Sequence, residues 1–373
     1  MLSLISFFKR LCVLPLFAQA PSHPDDSMVG HVHPAAVRAA CFSSCGKLIA
    51  LTHDDTVVTI LDSDTEEVLH TLEKMHEKAI ISLAFSPDGK LLAQGSKDNT
   101  ATVVEVRSGE KQCKKLCQVT GHQNQICDVC FSRDNKLLVV CSADGSMSVV
   151  KAREGTLVHK LNSGAGAAHT RWIRAADFSP DHRLLAVGCD DHTASVWNVE
   201  TGERACVIDT LHTKGIMAVR FDETGERLML GSADSTVSVV DVSNVQKGGK
   251  WERLFRVDCE HTDGGDVWAL NFSDDGRRVV LGSSDSVVSV VDICTGKKLL
   301  TLHGIHKDGI TAACFSPDGR RILTGAGSAA KTASVHQLPV TRACLTDHNP
   351  THLRRVTRGN PNNTHFCKPC CTS

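Results

Sequence analysis

Phe85-Ser86-Pro87-Asp88-Gly89, followed by Gly95-Ser96-Lys97-Asp98, is where the architecture of this chain first becomes legible. Pro87 fixes φ near the value a turn needs and Gly89 tolerates positive φ, so the run reverses the chain between the apolar segments Ala79 to Phe85 and Leu91 to Gln94. Gly95 to Asn99 reverses it again, Thr100 to Val106 is rich in β-branched residues, and a further strand is expected after Arg107-Ser108-Gly109-Glu110. The unit recurs. Its phenylalanine stands at Phe42, Phe85, Phe131, Phe178, Phe221, Phe272 and Phe315, at intervals of 43 to 51 residues. Thirteen residues later comes an aspartate in six cases: Asp55, Asp98, Asp144, Asp191, Asp234 and Asp285. Nine residues earlier comes a histidine in six cases, His33, His76, His122, His169, His212 and His306, and in the remaining unit His261 stands eleven earlier. The seventh unit lacks the carboxylate and has Gly325-Ala326-Gly327-Ser328-Ala329-Ala330 instead.

A supersecondary unit repeated seven times cannot bury its own apolar faces, so neighbours must cover one another. Closely spaced turns, with no amphipathic helical stretch between them, make the class all-β. The expected fold is a seven-bladed β-propeller of four-stranded antiparallel sheets, closed radially so that few edges stay exposed. The 373 residues carry 41 Lys plus Arg against 42 Asp plus Glu, a formal net charge of -1 that offers no general attraction to nucleic acid or an acidic membrane. Lys9 and Arg10 interrupt the only long apolar candidate near the N-terminus, so no membrane-spanning helix is expected. The 17 cysteines are too sparse for a disulfide scaffold. Cys41, Cys130 and Cys314 each precede the repeated Phe and read as core thiols in a reducing compartment.

These residues resemble the WD40-repeat family. The resemblance lies in the histidine, the Phe-Ser-Pro-Asp-Gly run (complete at Phe85 to Gly89 and Phe315 to Gly319) and the Gly-Ser-x-Asp turn at Gly95 to Asp98, Gly231 to Asp234 and Gly282 to Asp285. It extends to the third-strand ending, which is Trp197-Asn198 in the fourth unit and an aliphatic residue plus a polar or charged one at Leu61-Asp62, Val104-Glu105, Val150-Lys151, Val240-Asp241 and Val291-Asp292. The resemblance implies that each His-Asp pair pins the loop before the first strand to the turn before the third. Thr100, Ser146, Thr193 and Thr236, two residues after the aspartate, are the implied third members. A catalytic constellation is needed once, whereas a group present in every unit solves a problem that every unit shares. A triad such as His122, Asp144 and Ser142 is therefore read as structural and the chain as non-enzymatic. His306, without its aspartate, makes the seventh blade the loosest in this reading.

In WD40 proteins partner contacts cluster on the top rim, at two positions flanking the first apolar residue of the first strand and at the position before the turn aspartate. Carried onto this chain, they give a candidate partner-binding set of Trp172, Arg174, Trp268, Arg38, Met217, Asp266, Lys97 and Asp190. Trp and Arg dominate interface hot spots because they bury large area with a polar handle. The competing expectation is that Trp172 and Trp268 pack against neighbouring blades. The function implied is a scaffold or adaptor that mediates protein-protein interactions in a multiprotein complex. The alternative is a reader of acidic or modified peptides through Arg38, Arg174 and Lys97. An enzyme with a central-channel site ranks third, because the first-strand positions are mostly Ala, Val, Ile and Cys. Protein or peptide partners are expected, with no direct nucleic-acid contact, no cofactor, no metal and no small-molecule ligand.

Residues 30–346 form the propeller in this reading, and 1–29 are an extension. Lys9-Arg10, then Leu11 to Phe17, then Ala18-Gln19-Ala20 have the order of a targeting segment with its cleavage site. The same extension is a candidate edge-closing strand, as is Thr341 to Leu345 at the other end. Cytoplasm is the expected compartment, with the nucleus open; the secretory pathway or an organelle follows only if residues 1–20 act as a targeting peptide. Residues 347–373 are expected to be a disordered tail, whose His365, Cys367, Cys370 and Cys371 are zinc-ligand types without a scaffold to hold four ligands.

Overall fold

A computed structural model describes residues 29–32, 37–53, 56–106, 113–161, 169–259, 267–326 and 332–338. The strands form seven antiparallel sheets of four, set in a ring. Blades 1 to 7 begin with the inner strands Val37–Phe42, Ile80–Phe85, Ile126–Phe131, Ile173–Phe178, Ile216–Phe221, Val267–Phe272 and Ile310–Phe315. Blades 1 to 6 continue outward as simple meanders. Blade 7 takes its outer strand from the start of the chain, where Val29–Val32 runs antiparallel to Thr332–Gln337 with Val29 opposite Val335. The N-terminal strand thus closes the ring, which the sequence left open between the two ends; Thr341 to Leu345 lies outside the described residues. The only helix among the described residues is the 3-10 turn Val245–Lys247 after the third strand of blade 5. It sits within the longest interval of the repeat, Phe221 to Phe272.

The repeated phenylalanine ends each inner strand and seals the seam between blades. Phe221 of blade 5 is 1% exposed and shares a cluster with Leu184, Ala186 and Val196 of blade 4. Cutting such a ring back to alanine costs about 3–5 kcal/mol. The glycine of the Gly-Ser-x-Asp turn serves the same seam by absence. A Cβ on Gly188, in the equivalent Gly-Cys-Asp-Asp turn of blade 4, would stand 2.5 Å from Cγ2 of Ile216, and one on Gly282 would stand 2.4 Å from Cγ2 of Ile310. Adjacent blades approach too closely there for any side chain.

In every blade the ladder between the inner and second strands slips by one residue, between the first and third residues of the inner strand. The residue left out of register is Arg38, Ile81, Cys127, Arg174, Met217, Trp268 or Thr311. A β-bulge re-aims the side chain it leaves unpaired. Seven bulges at one level therefore present seven side chains around one end of the central channel.

Candidate functional site at the channel mouth

Arg38, Lys97, Arg174, Met217 and Trp268 border one cavity of about 590 Å³. They come from blades 1, 2, 4, 5 and 6, so no local stretch of sequence contains the site. Four are bulge residues. Lys97 is in the turn before the third strand of blade 2, where its backbone N–H donates to Ala79 O at 2.9 Å and ties that turn to the entry of the inner strand.

Arg174 is held from two sides. Its Nε and Nη2 donate to the two oxygens of Asp190 at 2.9 and 2.8 Å, and its guanidinium carbon lies 4.5 Å from the centroid of the Trp172 ring. Gly215 of blade 5 makes room for this pair, since a Cβ there would stand 2.7 Å from Asp190 Oδ1. Trp172 is 37% exposed and reaches Arg174 of its own blade; it is not among the cavity-lining residues. Trp268 is 50% exposed and leans on blade 7, where a Cβ on Gly309 would stand 2.5 Å from its Cζ3. Packing on a neighbour thus describes one side of the Trp268 ring, while half of its surface stays open. Asp266, His33, His261 and Asp55 lie outside the described residues.

Sequence reasoning missed what lies below the rim. Asp128, third in the inner strand of blade 3, lines the same cavity. Its carboxylate accepts from Ser82 Oγ at 3.3 Å and from the amides of Val129 and Ala176, both at 2.9 Å, and so links blades 2, 3 and 4. Enclosure in the channel wall pushes its carboxyl up to about 7, against the pull of those donors. Asp177, fifth in the inner strand of blade 4, accepts the Phe221 amide at 2.8 Å, and burial raises its carboxyl as well. Reading the inner strands as mostly Ala, Val, Ile and Cys passed over both. The signal was the third position, which reads Ala39, Ser82, Asp128, Ala175, Ala218, Ala269 and Ala312 around the ring.

The repeated histidines are engaged elsewhere. His76 Nδ1 lies 3.0 Å from Asp98 Oδ2 and 3.1 Å from Thr100 Oγ1. The same approach joins His122 to Asp144 at 3.4 Å, His169 to Asp191 at 3.2 Å and His212 to Asp234 at 3.3 Å. In blade 4 the chain of bonds runs further, with Ser195 Oγ 2.7 Å from His169 Nε2 and Trp197 Nε1 donating to Ser195 Oγ at 2.7 Å. A proton placed on His169 Nδ1 lets that ring donate to Asp191 while Nε2 accepts the serine hydroxyl. In blade 6, Asp285 accepts the Ser283 hydroxyl.

Blade 7 solves the same problem differently. His306 Nε2 lies 2.9 Å from Thr324 Oγ1, which lies 3.2 Å from His336 Nε2. His336 faces Ile322 as Trp197 faces Leu185, so it occupies the place of the blade 4 tryptophan. Burial, with His336 nearby, pushes His306 down to about 4. Burial also lowers His76 and His122, although Asp98 and Asp144 oppose it. Burial raises those two carboxyls, but the hydrogen bonds from Thr100 and Ser146, adjacent backbone amides and the histidines outweigh it and hold them below the usual range.

In blades 3 and 4 both ring nitrogens of the histidine are engaged, whereas His76 Nε2 and His212 Nε2 are buried without a hydrogen-bond partner. Ser142 Oγ donates to Asn124 O at 3.0 Å, so the triad with His122 and Asp144 is not assembled. His169, Cys189 and Asp191 bring ligand atoms within 4.8 Å of one another. Yet Asp191 accepts from His169, Thr170 and Thr193, and the Cys189 sulfur accepts the Asp191 amide at 3.4 Å. Burial pushes the Cys189 thiol up to about 12.

A closed ring of seven four-stranded antiparallel sheets, six of them simple meanders and the seventh completed by the N-terminal strand, is a seven-bladed β-propeller. The chain belongs to the WD40 family: it matches the model described as "WD domain, G-beta repeat" over residues 66–104, 113–150, 155–198, 206–241, 253–292 and 296–337. The one unit outside these matches, the N-terminal one built from Val29–Val32 and the first three strands of blade 1, is seen in the ring itself. Over 169 residues the chain is 28% identical to the guanine nucleotide-binding protein subunit beta of Nicotiana tabacum, covering 43% of each. It is 28% identical over 152 residues to transcription initiation factor TFIID subunit 5 of Caenorhabditis elegans, covering 41% of this chain and 22% of that one. It is also 28% identical over 197 residues to eukaryotic translation initiation factor 3 subunit I of Neosartorya fischeri, covering 49% and 56%. The matches thus span less than two thirds of each of these relatives. They fit a protein-interaction scaffold. Among the described residues no helix is long and apolar enough to cross a membrane.

Proposed function

We propose that this protein is a non-enzymatic scaffold or adaptor that takes a protein segment at the channel mouth, against Arg38, Lys97, Arg174, Met217 and Trp268. The carrying observation is convergence: side chains from five blades border one cavity, and a half-exposed tryptophan stands among them. The cavity falls in the size range of ligand sites, and tryptophan and arginine are the residues that anchor interfaces. Trp172 and Asp190 act one step back by holding Arg174 in place. Cys41, Cys130, Cys141, Cys189, Cys259 and Cys314 are free thiols, which suits the cytoplasm or nucleus.

The test is affinity purification with mass spectrometry on the wild type and on a Trp268→Ala, Arg174→Ala double variant. The variant is expected to melt within a few degrees of wild type and to lose the partners that wild type retains. An unchanged set of partners would overturn the proposal.

A further inference from the structure

The logic that assigns the histidine-aspartate pairs to structure has a converse: a polar group that most blades do without needs another explanation. At the third inner-strand position five blades have alanine, namely Ala39, Ala175, Ala218, Ala269 and Ala312. Those blades complete their sheets all the same. Blade 3 has Asp128, with Ser82 of blade 2 donating to it. The fold therefore does not demand a carboxylate at this level, and enclosing one is unfavourable unless its charge is matched. Ser82, Val129 and Ala176 supply three donors. An ionised carboxylate has about four acceptor positions, so these donors leave it able to accept one more from the cavity.

We infer that Asp128 sets the specificity of the channel mouth by receiving a lysine or arginine side chain from a partner segment whose flanking residues are acidic. This rests on the mouth being the docking site. Charge complementarity selects the occupant. Asp128 is the one acidic side chain among the described residues that line the cavity, and a cation brought beside it favours its ionised form, while Arg38, Lys97 and Arg174 are positive groups bordering the same cavity. A uniformly acidic segment would bring charge against Asp128, and a uniformly basic one would meet the three rim cations. A basic tip between acidic shoulders matches both levels. Met217 and Trp268 border the same space and suit the methylene stem and the cation, respectively. Arg174 uses Nε and Nη2 on Asp190, which orients it and leaves Nη1 for an incoming carboxylate.

The experiment pans a phage-displayed library of random peptides on the full chain, in parallel as wild type, Asp128→Asn and Trp268→Ala. Wild type is expected to enrich sequences with Lys or Arg at one fixed position and Asp or Glu beside it. A synthetic peptide of that consensus should bind Asp128→Asn about tenfold or more weakly, as loss of a charged partner in an enclosed site implies. Asp128→Ala copies the residue of five other blades and provides a second variant whose folding the ring already tolerates; it should lose binding equally. Enriched peptides that need Trp268 but carry no fixed basic residue would overturn this inference and leave the docking site standing. A fixed basic residue whose binding survives both Asp128 variants would overturn it too. If wild type enriches nothing, or Trp268→Ala enriches the same peptides, the docking site falls as well.

Discussion

The guanidinium of Arg321 in blade 7 lies over the ring of Phe42 in blade 1, its carbon 5.5 Å from the ring centroid. Its Nη1 donates to Asp64 Oδ1 at 3.1 Å and Ser63 O at 3.3 Å, and its Nη2 donates to Gly46 O at 3.2 Å. Thr311 Oγ1 adds a bond to Val37 O at 2.6 Å across the same seam. The neighbouring seam repeats the device with Arg278 over Phe315 at 5.4 Å. Blade 7 is the blade whose outer strand comes from the far end of the chain, so it gains most from such a clamp. Arg321→Ala is expected to lower stability by about 2 kcal/mol, from the lost cation-π contact and charged hydrogen bonds. Arg321→Lys should recover little, because an ammonium cannot stack flat and serve three acceptors. Urea unfolding followed by tryptophan fluorescence measures both; midpoints equal to wild type would show that the four-residue closing strand suffices.

The pair His306 and His336 makes blade 7 sensitive to acid. The folded chain holds His306 near 4, below its ordinary value of 6.5. As pH falls from about 6.5 to about 4 the unfolded chain takes up this proton first, so the stabilisation is lost across that window. The full effect is on the order of 2–3 kcal/mol. His76 and His122 shift in the same direction, so the comparison with a variant isolates the blade 7 term. His306→Gln keeps a bond to Thr324 and should flatten the melting profile between pH 7 and pH 4.5. Amide exchange at pH 5 should also be faster in blade 7 than in blade 4, where Asp191, His169, Ser195 and Trp197 form one connected chain. A variant profile that parallels wild type, or equal protection of the two blades, would count against this.

The number of blades and the identity of the pinning pairs were legible because they recur: Phe, His and Asp return at fixed offsets, and a period is visible without coordinates. What was not legible depends on register. Arg38 and Arg174 were placed on the rim by resemblance, but the one-residue slip behind that placement is a backbone feature with no residue signature. The same slip puts Asp128 in the cavity, and an aspartate within Ile126–Phe131 gives no sign by itself of the face it takes. His336 went unrecognised because it stands 21 residues after Phe315, whereas Trp197 stands 19 after Phe178, and the longer interval hides the equivalence. Val29–Val32 is too short to carry a pattern, so only its pairing with Thr332–Gln337 reveals its role.

Cys45 replaces a carboxylate in the turn after the first inner strand. In blade 2 that turn holds Asp88, whose Oδ1 accepts Ser86 Oγ at 2.6 Å and the Lys90 amide at 3.1 Å, and Asp134, Asp181, Asp275 and Asp318 repeat it. A site shaped for an anion favours a thiolate. The Ser43 hydroxyl, 3.4 Å from the sulfur, is the main cause that lowers the exposed Cys45 thiol, whereas burial raises that of Cys294, the other exposed cysteine among the described residues. Limiting iodoacetamide at pH 7.5, read by peptide mass spectrometry, should label Cys45 several-fold faster than Cys294. Ser43→Ala should narrow the gap. Equal labelling of the two in wild type would show that the hydroxyl does not act on the thiol.

Gly309 tests whether the position of Trp268, rather than its mere presence, matters at the mouth. A Cβ there would meet Trp268 Cζ3 at 2.5 Å and both Cα and O of Ser284 at 3.0 Å. The Ser284 contacts are backbone and yield little, so the ring must move. Gly309 does not line the cavity, and its backbone lies outside the left-handed region, so alanine brings crowding without turn strain. Overpacking of this kind costs about 1–3 kcal/mol. Gly309→Ala should therefore reduce partner capture nearly as much as Trp268→Ala although it removes no contact atom. In a double-mutant cycle its stability cost should shrink by about 1 kcal/mol or more once Trp268 is already alanine, because the added methyl then enters vacated space. Additive costs with undiminished capture would mean that the tryptophan ring is held by contacts other than the one at Gly309.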